Sequence, residues 1–165
     1  MQLSPIVAGL WRLNEWKLDT PGLVRWIEQA LELGITSFDH ADIYGGYRVE
    51  AAFGEALAAS PLLRQRMQLV TKCGIKLVSS ERPSHAVKHY DTSRAHITAS
   101  VENSLRVLRT DRIDLLLLHR PDALMDADEV AQTFADLRAA GKVLHFGASN
   151  HLPSQFALLH RRLSL

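Results

Sequence analysis

Short apolar runs alternate with longer amphipathic segments along this chain, and that alternation limits the fold more than any other feature. Each apolar run precedes a segment with helical periodicity. Strands and helices that alternate at this spacing form a parallel sheet with the helices outside. The chain is therefore predicted to be α/β, either an open doubly wound sheet or a barrel. The predicted strands cover residues 6–10, 35–38, 67–72, 113–118 and 143–148.

The predicted helices carry recognisable end signals. Thr20-Pro21 is typical of a helix start, with threonine as the N-cap and proline at the first helical position. Gly34 is typical of the stop that follows. Thr92 or Ser93 is expected to cap a later helix, and the polar segment between the third strand and that helix is expected to be a loop. Further helices are predicted over 49–59, over 127–140 and from Pro153 towards Arg162.

Composition argues against several functional classes. The 165 residues are 47% hydrophobic and carry a formal net charge of +1, so neither nucleic acid nor an anionic membrane is an expected partner. Cys73 is the one cysteine, which rules out an internal disulfide and indicates a reducing compartment. No apolar run approaches the roughly 20 residues of a membrane span, and the first residues do not resemble a secretory signal. We expect one cytoplasmic domain over residues 1–165.

Polar side chains follow four successive predicted strands. Asp39 and Tyr44 come at and after the end of the second strand, Lys72 ends the third, and His119 follows the fourth. Ser149-Asn150 follows the fifth. Active sites of parallel α/β folds lie at the carboxyl ends of the strands. These side chains are therefore expected to meet at one edge of the sheet.

No phosphate-binding motif accompanies them. The residues at and after the end of the first strand, Ala8-Gly9-Leu10-Trp11-Arg12, contain neither G-x-G-x-x-G nor G-x-x-x-x-G-K-[ST]. An open dinucleotide-binding sheet therefore loses support, and a barrel is favoured.

Four of the polar residues could together make a proton-donating site. A tyrosine is a poor acid at neutral pH unless a cation stabilises its anion. Lys72 could supply that charge, Asp39 could hold Lys72 in place, and His119 could hydrogen-bond to a substrate oxygen. Such a set donates a proton to a developing alkoxide. Each residue alone has an ordinary structural alternative, so it is the ordered set that favours catalysis.

These motifs resemble those of the aldo-keto reductases along nearly the whole chain. Within that family, the runs HADIYGGY, EAAFGEAL, HRPD and LMDADEVA look like those of the bacterial YdhF-type oxidoreductases. The matching residues are 39–45, Glu50, Gly54, Thr71-Lys72, 117–121, 141–143 and 147–150.

The resemblance implies a (β/α)8 TIM barrel and an oxidoreductase that uses NADP(H) to reduce a small-molecule carbonyl compound. It implies Tyr44 as the proton donor and Lys72 as the cation that makes Tyr44 a better acid. Asp39 would then be the partner of Lys72, and His119 would orient the carbonyl group.

The resemblance also implies a cofactor site without a Rossmann motif, in agreement with the missing glycine pattern. Leu10, Trp11 and Asp39 would line it, and Ser149 and Asn150 would hold the nicotinamide carboxamide. The chain departs from the commoner family residues at His40, Leu144 and His151, which could alter the cleft.

Length is the larger departure. A barrel of this kind needs about 250 residues, and only about five βα units are predicted here. We expect residues 1–165 to be the N-terminal portion of a barrel, either a truncated product or fragment, or a chain completed by self-association or by a missing C-terminal half. The missing strands would carry the residues that contact the 2′-phosphate and stack on the nicotinamide.

Two other functions stay open. Asp39, His40, Asp42 and His119 could be ligands in a metal-dependent hydrolase, but strand alternation would turn His40 away from Asp39, and zinc catalysis usually needs three protein ligands. No metal is therefore expected. The second alternative is a non-catalytic or cofactor-binding half-barrel, because fold does not dictate activity.

Overall fold

The computed structural model describes residues 1–163 and contains a parallel sheet of five strands. The strands of this sheet are β1 (Val7–Gly9), β2 (Ser37–Asp39), β3 (Gln68–Cys73), β6 (Ile113–Leu118) and β7 (Val143–Ala148). A separate antiparallel hairpin is formed by β4 (Ile75–Lys76) and β5 (His89–Tyr90).

Each strand of the main sheet is followed by a helix. The helices are α1 (Thr20–Glu32), α2 (Val49–Ala59), α3 (Arg94–Leu108), α4 (Ala127–Ala139) and α5 (Pro153–Leu163). Short 3₁₀ helices cover Leu13–Glu15 and Pro61–Arg66.

The spatial order of the strands is their order along the chain, β1-β2-β3-β6-β7, and every neighbouring pair is parallel. Successive helices pack against one another in the same order, from α1 against α2 to α4 against α5. A doubly wound sheet reverses its strand order at a switch point. This sheet has no such reversal among residues 1–163, so it is the wall of a barrel and not an open doubly wound sheet.

The core consists of two apolar clusters. The first joins α1 and α2 to β2, where Phe38 and Phe53 lie with ring centroids 5.6 Å apart. The second joins α3 and α4 to β6 and β7, where Phe134 stacks on Phe146 at 4.1 Å. Together the clusters pack the helices against both halves of the sheet. Among residues 1–163, no helix is long and apolar enough to cross a membrane.

Two sequence predictions need correction. Asp19, not Thr20, is the N-cap of α1, because its carboxylate accepts a hydrogen bond from the Gly22 N–H at 2.8 Å. The segment expected to be a loop contains the β4–β5 hairpin, which the ion pair between Lys76 and Asp91 supports at 2.8 Å. Ser93, one of the two caps considered, accepts from the His96 N–H and begins α3.

Candidate active site

Lys72 is the centre of a compact polar group at the carboxyl edge of the sheet. Its Nζ lies 2.7 and 2.6 Å from the two carboxylate oxygens of Asp39, 2.8 Å from the His40 carbonyl oxygen and 3.1 Å from the Tyr44 hydroxyl. The register of β2 and β3 pairs Asp39 with Val70. Lys72 lies two residues further on and projects to the same face, which brings its ammonium group to Asp39.

Tyr44 reaches this group from the turn that follows β2. Its backbone N–H donates to the Ala41 carbonyl at 3.0 Å, and the chain then passes through Gly45 and Gly46, which have φ of +58° and +66°. Glycine adopts this left-handed conformation without steric cost. An ammonium group is only a donor, so the Tyr44 oxygen accepts from Lys72 and keeps its own O–H free for another partner.

His119 borders Tyr44, with the two rings 5.9 Å apart in an edge-to-face arrangement. Its backbone N–H donates to the Cys73 carbonyl at 2.9 Å, which ties the end of β6 to the end of β3. Burial, with the nearby charges of Lys72 and Arg120, lowers the pKa of His119 to about 4. The ring is therefore neutral near pH 7 and has one N–H to offer.

Tyr44 and His119 line an open cleft of about 510 Å³. That volume is in the range of sites for small organic ligands. The remaining lining residues are Trp11, Ile43, Ile75, Leu77, Lys88, Tyr90, Arg120 and Asn150. The β4–β5 hairpin thus forms one wall of the cleft, and it is anchored by the Tyr47 hydroxyl, which accepts from the Leu77 N–H at 2.7 Å.

The residues that were expected to contact a cofactor do not all lie in the cleft. Trp11 lines the cleft with 69% of its surface exposed, whereas the side chain of Leu10 is fully buried in the core and does not line it. The backbone N–H of Leu10 donates to the Asp39 carbonyl at 2.9 Å, so Leu10 positions Trp11 instead. The Asp39 carboxylate is engaged by Lys72.

Ser149 and Asn150 follow β7 at the edge of the cleft. The Asn150 amide donates to the His119 carbonyl at 3.2 Å and to the Ser149 hydroxyl at 2.8 Å. Within residues 1–163, the Ser149 O–H and the Asn150 amide oxygen have no protein partner. The pair therefore offers one hydrogen-bond donor and one acceptor to a bound group.

His40 is turned away from the cleft, as strand alternation predicts. Its ring is fully buried and packs edge-on against Phe53 at 4.5 Å, and neither ring nitrogen has a hydrogen-bond partner in the described part of the chain. Burial and the charge of Lys72 lower its pKa to about 3. No group of three or more His, Cys, Asp and Glu side chains within residues 1–163 is placed to hold a metal ion.

Sequence reasoning missed a buried acidic network behind the site. Asp42 accepts from the Ser100 hydroxyl at 2.8 Å, and Glu50 accepts from Thr71 and Ser104 at 2.6 and 2.9 Å. Burial and the neighbouring Glu50 raise the pKa of Asp42 to about 8. The signal in the sequence was two serines four residues apart, Ser100 and Ser104, on the otherwise apolar face of α3.

The amino-acid sequence matches those of known proteins. The model of the aldo/keto reductase family matches residues 5–164. Oxidoreductase YdhF from Escherichia coli (strain K12) is 56% identical over 162 residues, which are 98% of this chain and 54% of YdhF. A 6-dehydroglucose reductase from Agrobacterium fabrum is 48% identical over 165 residues, covering 99% of this chain and 56% of that protein.

A solved structure agrees with these matches. The glycerol dehydrogenase from Gluconobacter oxydans superposes with a TM-score of 0.81 at 32% identity, over 98% of this chain and 49% of that chain. The chain therefore spans about half the length of the relatives it matches.

Proposed function

Because this chain belongs to the aldo/keto reductase family, we propose that it carries the proton-donating site of an NADPH-dependent reduction of aldehydes and ketones to alcohols. The observation that carries the proposal is the 3.1 Å contact between Lys72 Nζ and the Tyr44 hydroxyl at the floor of the cleft. A hydroxyl held against a buried cation, facing a cleft of ligand size, is suited to give up its proton.

Tyr44 is the proposed proton donor. Its O–H stays available because Lys72 donates to its oxygen, so the proton can pass to a substrate carbonyl oxygen as that oxygen gains charge. The phenolate left behind lies next to the Lys72 ammonium group. At an effective dielectric constant of about 20, the attraction at this distance is on the order of 5 kcal/mol.

Asp39 and His119 have supporting roles. Asp39 grips Lys72 through both oxygens, which fixes the ammonium group and balances its charge in a site where the Lys72 side chain is 7% exposed. His119 is neutral near pH 7, and its N–H can donate to the same carbonyl oxygen that Tyr44 protonates. Two donors on one oxygen would orient the carbonyl and stabilise its developing negative charge.

The reduction also needs a hydride, which a bound nicotinamide cofactor supplies to the carbonyl carbon. We propose that Ser149 and Asn150 hold its carboxamide, since they offer the donor and acceptor that this group requires. NADPH is the proposed cofactor because the family resemblance implies it. Closing a barrel of eight βα units takes three more units, and we propose that a C-terminal half of the protein or self-association supplies them.

Cofactor titration followed by a turnover assay tests this function. Nicotinamide fluorescence would report NADPH binding to the purified protein, with NADH titrated in parallel and circular dichroism confirming the fold. We expect saturable NADPH binding and aldehyde-dependent NADPH oxidation that Tyr44→Phe abolishes. Binding without turnover would instead support the non-catalytic alternative, and turnover that persists in the variant would remove Tyr44 from its proposed role.

A further inference from the structure

The cleft above Tyr44 is lined by aromatic and aliphatic side chains together with two cations. Trp11 and Tyr90 are the aromatic lining residues beside the floor, with 69% and 43% of their surfaces exposed. Lys88, which precedes β5, and Arg120, which follows His119, also line the cleft and are solvent-exposed. The cations and the proposed proton donor thus face one cavity.

Neither cation is compensated by a carboxylate. Within residues 1–163, Lys88 and Arg120 make no ion pair, and no Asp or Glu side chain is among the residues that line this cleft. The neighbouring lysines differ, since Lys72 is paired with Asp39 and Lys76 with Asp91. The cleft therefore carries two positive charges that the protein itself leaves unmatched.

The field of Arg120 reaches the reacting centre. Its charge contributes to the lowered pKa of the adjacent His119. Low-dielectric walls and charges of one sign focus the field inside a cleft and raise the local concentration of counter-ions. An anion bound here would lie close to the group that orients the carbonyl.

From this arrangement we propose that the substrate is a carbonyl compound with a second, anionic group, a carboxylate in the simplest case, which Arg120 and Lys88 bind. The inference rests on the proposed function and adds the substrate class. Arginine presents a planar fork that matches a carboxylate in a bidentate fashion, and lysine adds a mobile point charge. The aromatic and aliphatic lining side chains suit the body of a compound whose carbonyl group reaches Tyr44 and His119.

Phosphate groups of the cofactor are the competing anions. A nicotinamide ring is separated from its diphosphate by a ribose, whereas a small substrate can carry its anionic group near its carbonyl. Lys88 and Arg120 share the cavity of Tyr44 and His119, which favours the substrate. The experiment below distinguishes a substrate carboxylate from a cofactor phosphate as the bound anion.

A pair of aldehydes that differ in charge provides the test. 4-Carboxybenzaldehyde and its methyl ester share the ring and the aldehyde, and only the first is an anion at neutral pH. We expect the protein to prefer the carboxylate in kcat/KM. Arg120→Gln and Lys88→Gln should each lower kcat/KM for the carboxylate about 10-fold or more, mainly through KM, and change the value for the ester by less than about 2-fold.

Lys142→Gln is the matched control. It removes one positive charge at the start of β7, the end of the sheet opposite the cleft, where Lys142 pairs with Glu102. This variant should keep the preference for the carboxylate. Added salt should reduce that preference in the unmodified protein, because ionic strength screens exposed charges.

Binding measured by calorimetry separates failure of this inference from failure of the proposed function. The probes are the alcohol products of the two aldehydes, together with NADPH. Turnover of the ester without preference for the carboxylate would overturn the inference and leave the function standing. If neither aldehyde is turned over, but the anionic alcohol binds and Arg120→Gln weakens that binding, the proposed function is wrong and the anion selectivity stands. Weaker NADPH binding in both variants, with equal losses for both aldehydes, would assign the cations to the cofactor and overturn the inference.

Discussion

The ammonium nitrogen of Lys72 lies 3.1 Å from the hydroxyl oxygen of Tyr44 and 5.0 Å from the centre of its ring. The two residues are 28 positions apart in sequence, and the turn after β2 brings the tyrosine over the end of β3. Lys72 therefore donates a hydrogen bond to the Tyr44 oxygen, and the hydroxyl proton of Tyr44 stays available to a ligand in the cleft. The first two predictions follow from it.

Replacing Tyr44 by phenylalanine should abolish turnover and leave NADPH affinity within about 2-fold. General acids contribute about 10²- to 10⁴-fold in rate, and Phe keeps the shape of the ring while removing its proton. The measurement is kcat for an aldehyde beside the NADPH dissociation constant from fluorescence. Circular dichroism of the variant is the control, because a loss of turnover points to the missing proton only when the fold is kept.

Lys72→Met should reduce kcat by at least about 10²-fold, much more than it weakens cofactor binding, because it removes the charge that stabilises the Tyr44 anion. Steady-state kinetics and a cofactor titration on the same preparation, with circular dichroism to confirm the fold, check this. An equal loss in both quantities would make Lys72 a binding residue instead.

The buried imidazole of His40 should make the protein acid-sensitive. Its pKa is about 3 in the folded state and about 6.5 in an unfolded chain. Below pH 6.5 the unfolded chain therefore binds a proton that the folded state does not, and stability falls as the pH is lowered through that window, by up to about 1.4 kcal/mol per pH unit.

His40→Leu removes this titration and keeps an apolar group against Phe53. Urea unfolding at pH 7, 6 and 5 should show that the variant gains stability relative to the unmodified protein as the pH falls. A difference between the two proteins that does not change with pH would contradict the assignment.

Asp42 should show the opposite trend. Its pKa is about 8 in the folded state and near 4 when unfolded, so between these values the folded state keeps a proton that the unfolded chain releases. Stability from this group is present at low pH and is lost as the pH rises towards 8.

Asp42→Asn stays neutral and can still accept from Ser100, so the variant should be the more stable protein at pH 8 and about equal to the unmodified protein at pH 4. Urea midpoints across that range are the check, and a variant that is less stable at pH 8 would rule out a protonated Asp42.

Gly54→Ala should destabilise the fold by about 1–3 kcal/mol or more, because overpacking a close contact forces the backbone to move. A Cβ atom at this position of α2 would lie 1.9 Å from the Val107 carbonyl oxygen of α3. Gly9→Ala is the control, since a Cβ atom there meets nothing within 4 Å. Thermal unfolding of both variants is the measurement, and equal midpoints would contradict the close approach of α2 to α3.

Much of the fold was predictable from local pattern. The alternation of strands and helices predicted a parallel α/β sheet, and the family resemblance implied an aldo-keto reductase type barrel. Both predictions are confirmed by the strand order and the structural match. Strand β6 and helix α2 have the predicted bounds. The β4–β5 hairpin was missed because strands of two residues are too short to show periodicity, and the N-cap of α1 was misplaced by one residue because aspartate and threonine both serve as caps.

The sequence by itself determined which polar residues end which strands, since strand ends follow from short-range periodicity. The tertiary structure decided what those residues touch. Lys72 meets Asp39 across 33 positions, His119 becomes neutral through burial, and Leu10 turns into the core while Trp11 enters the cleft. It also left Lys88 and Arg120 without carboxylates in the described part of the chain. Charge pairing and desolvation depend on neighbours that are distant along the chain, and no local pattern contains them.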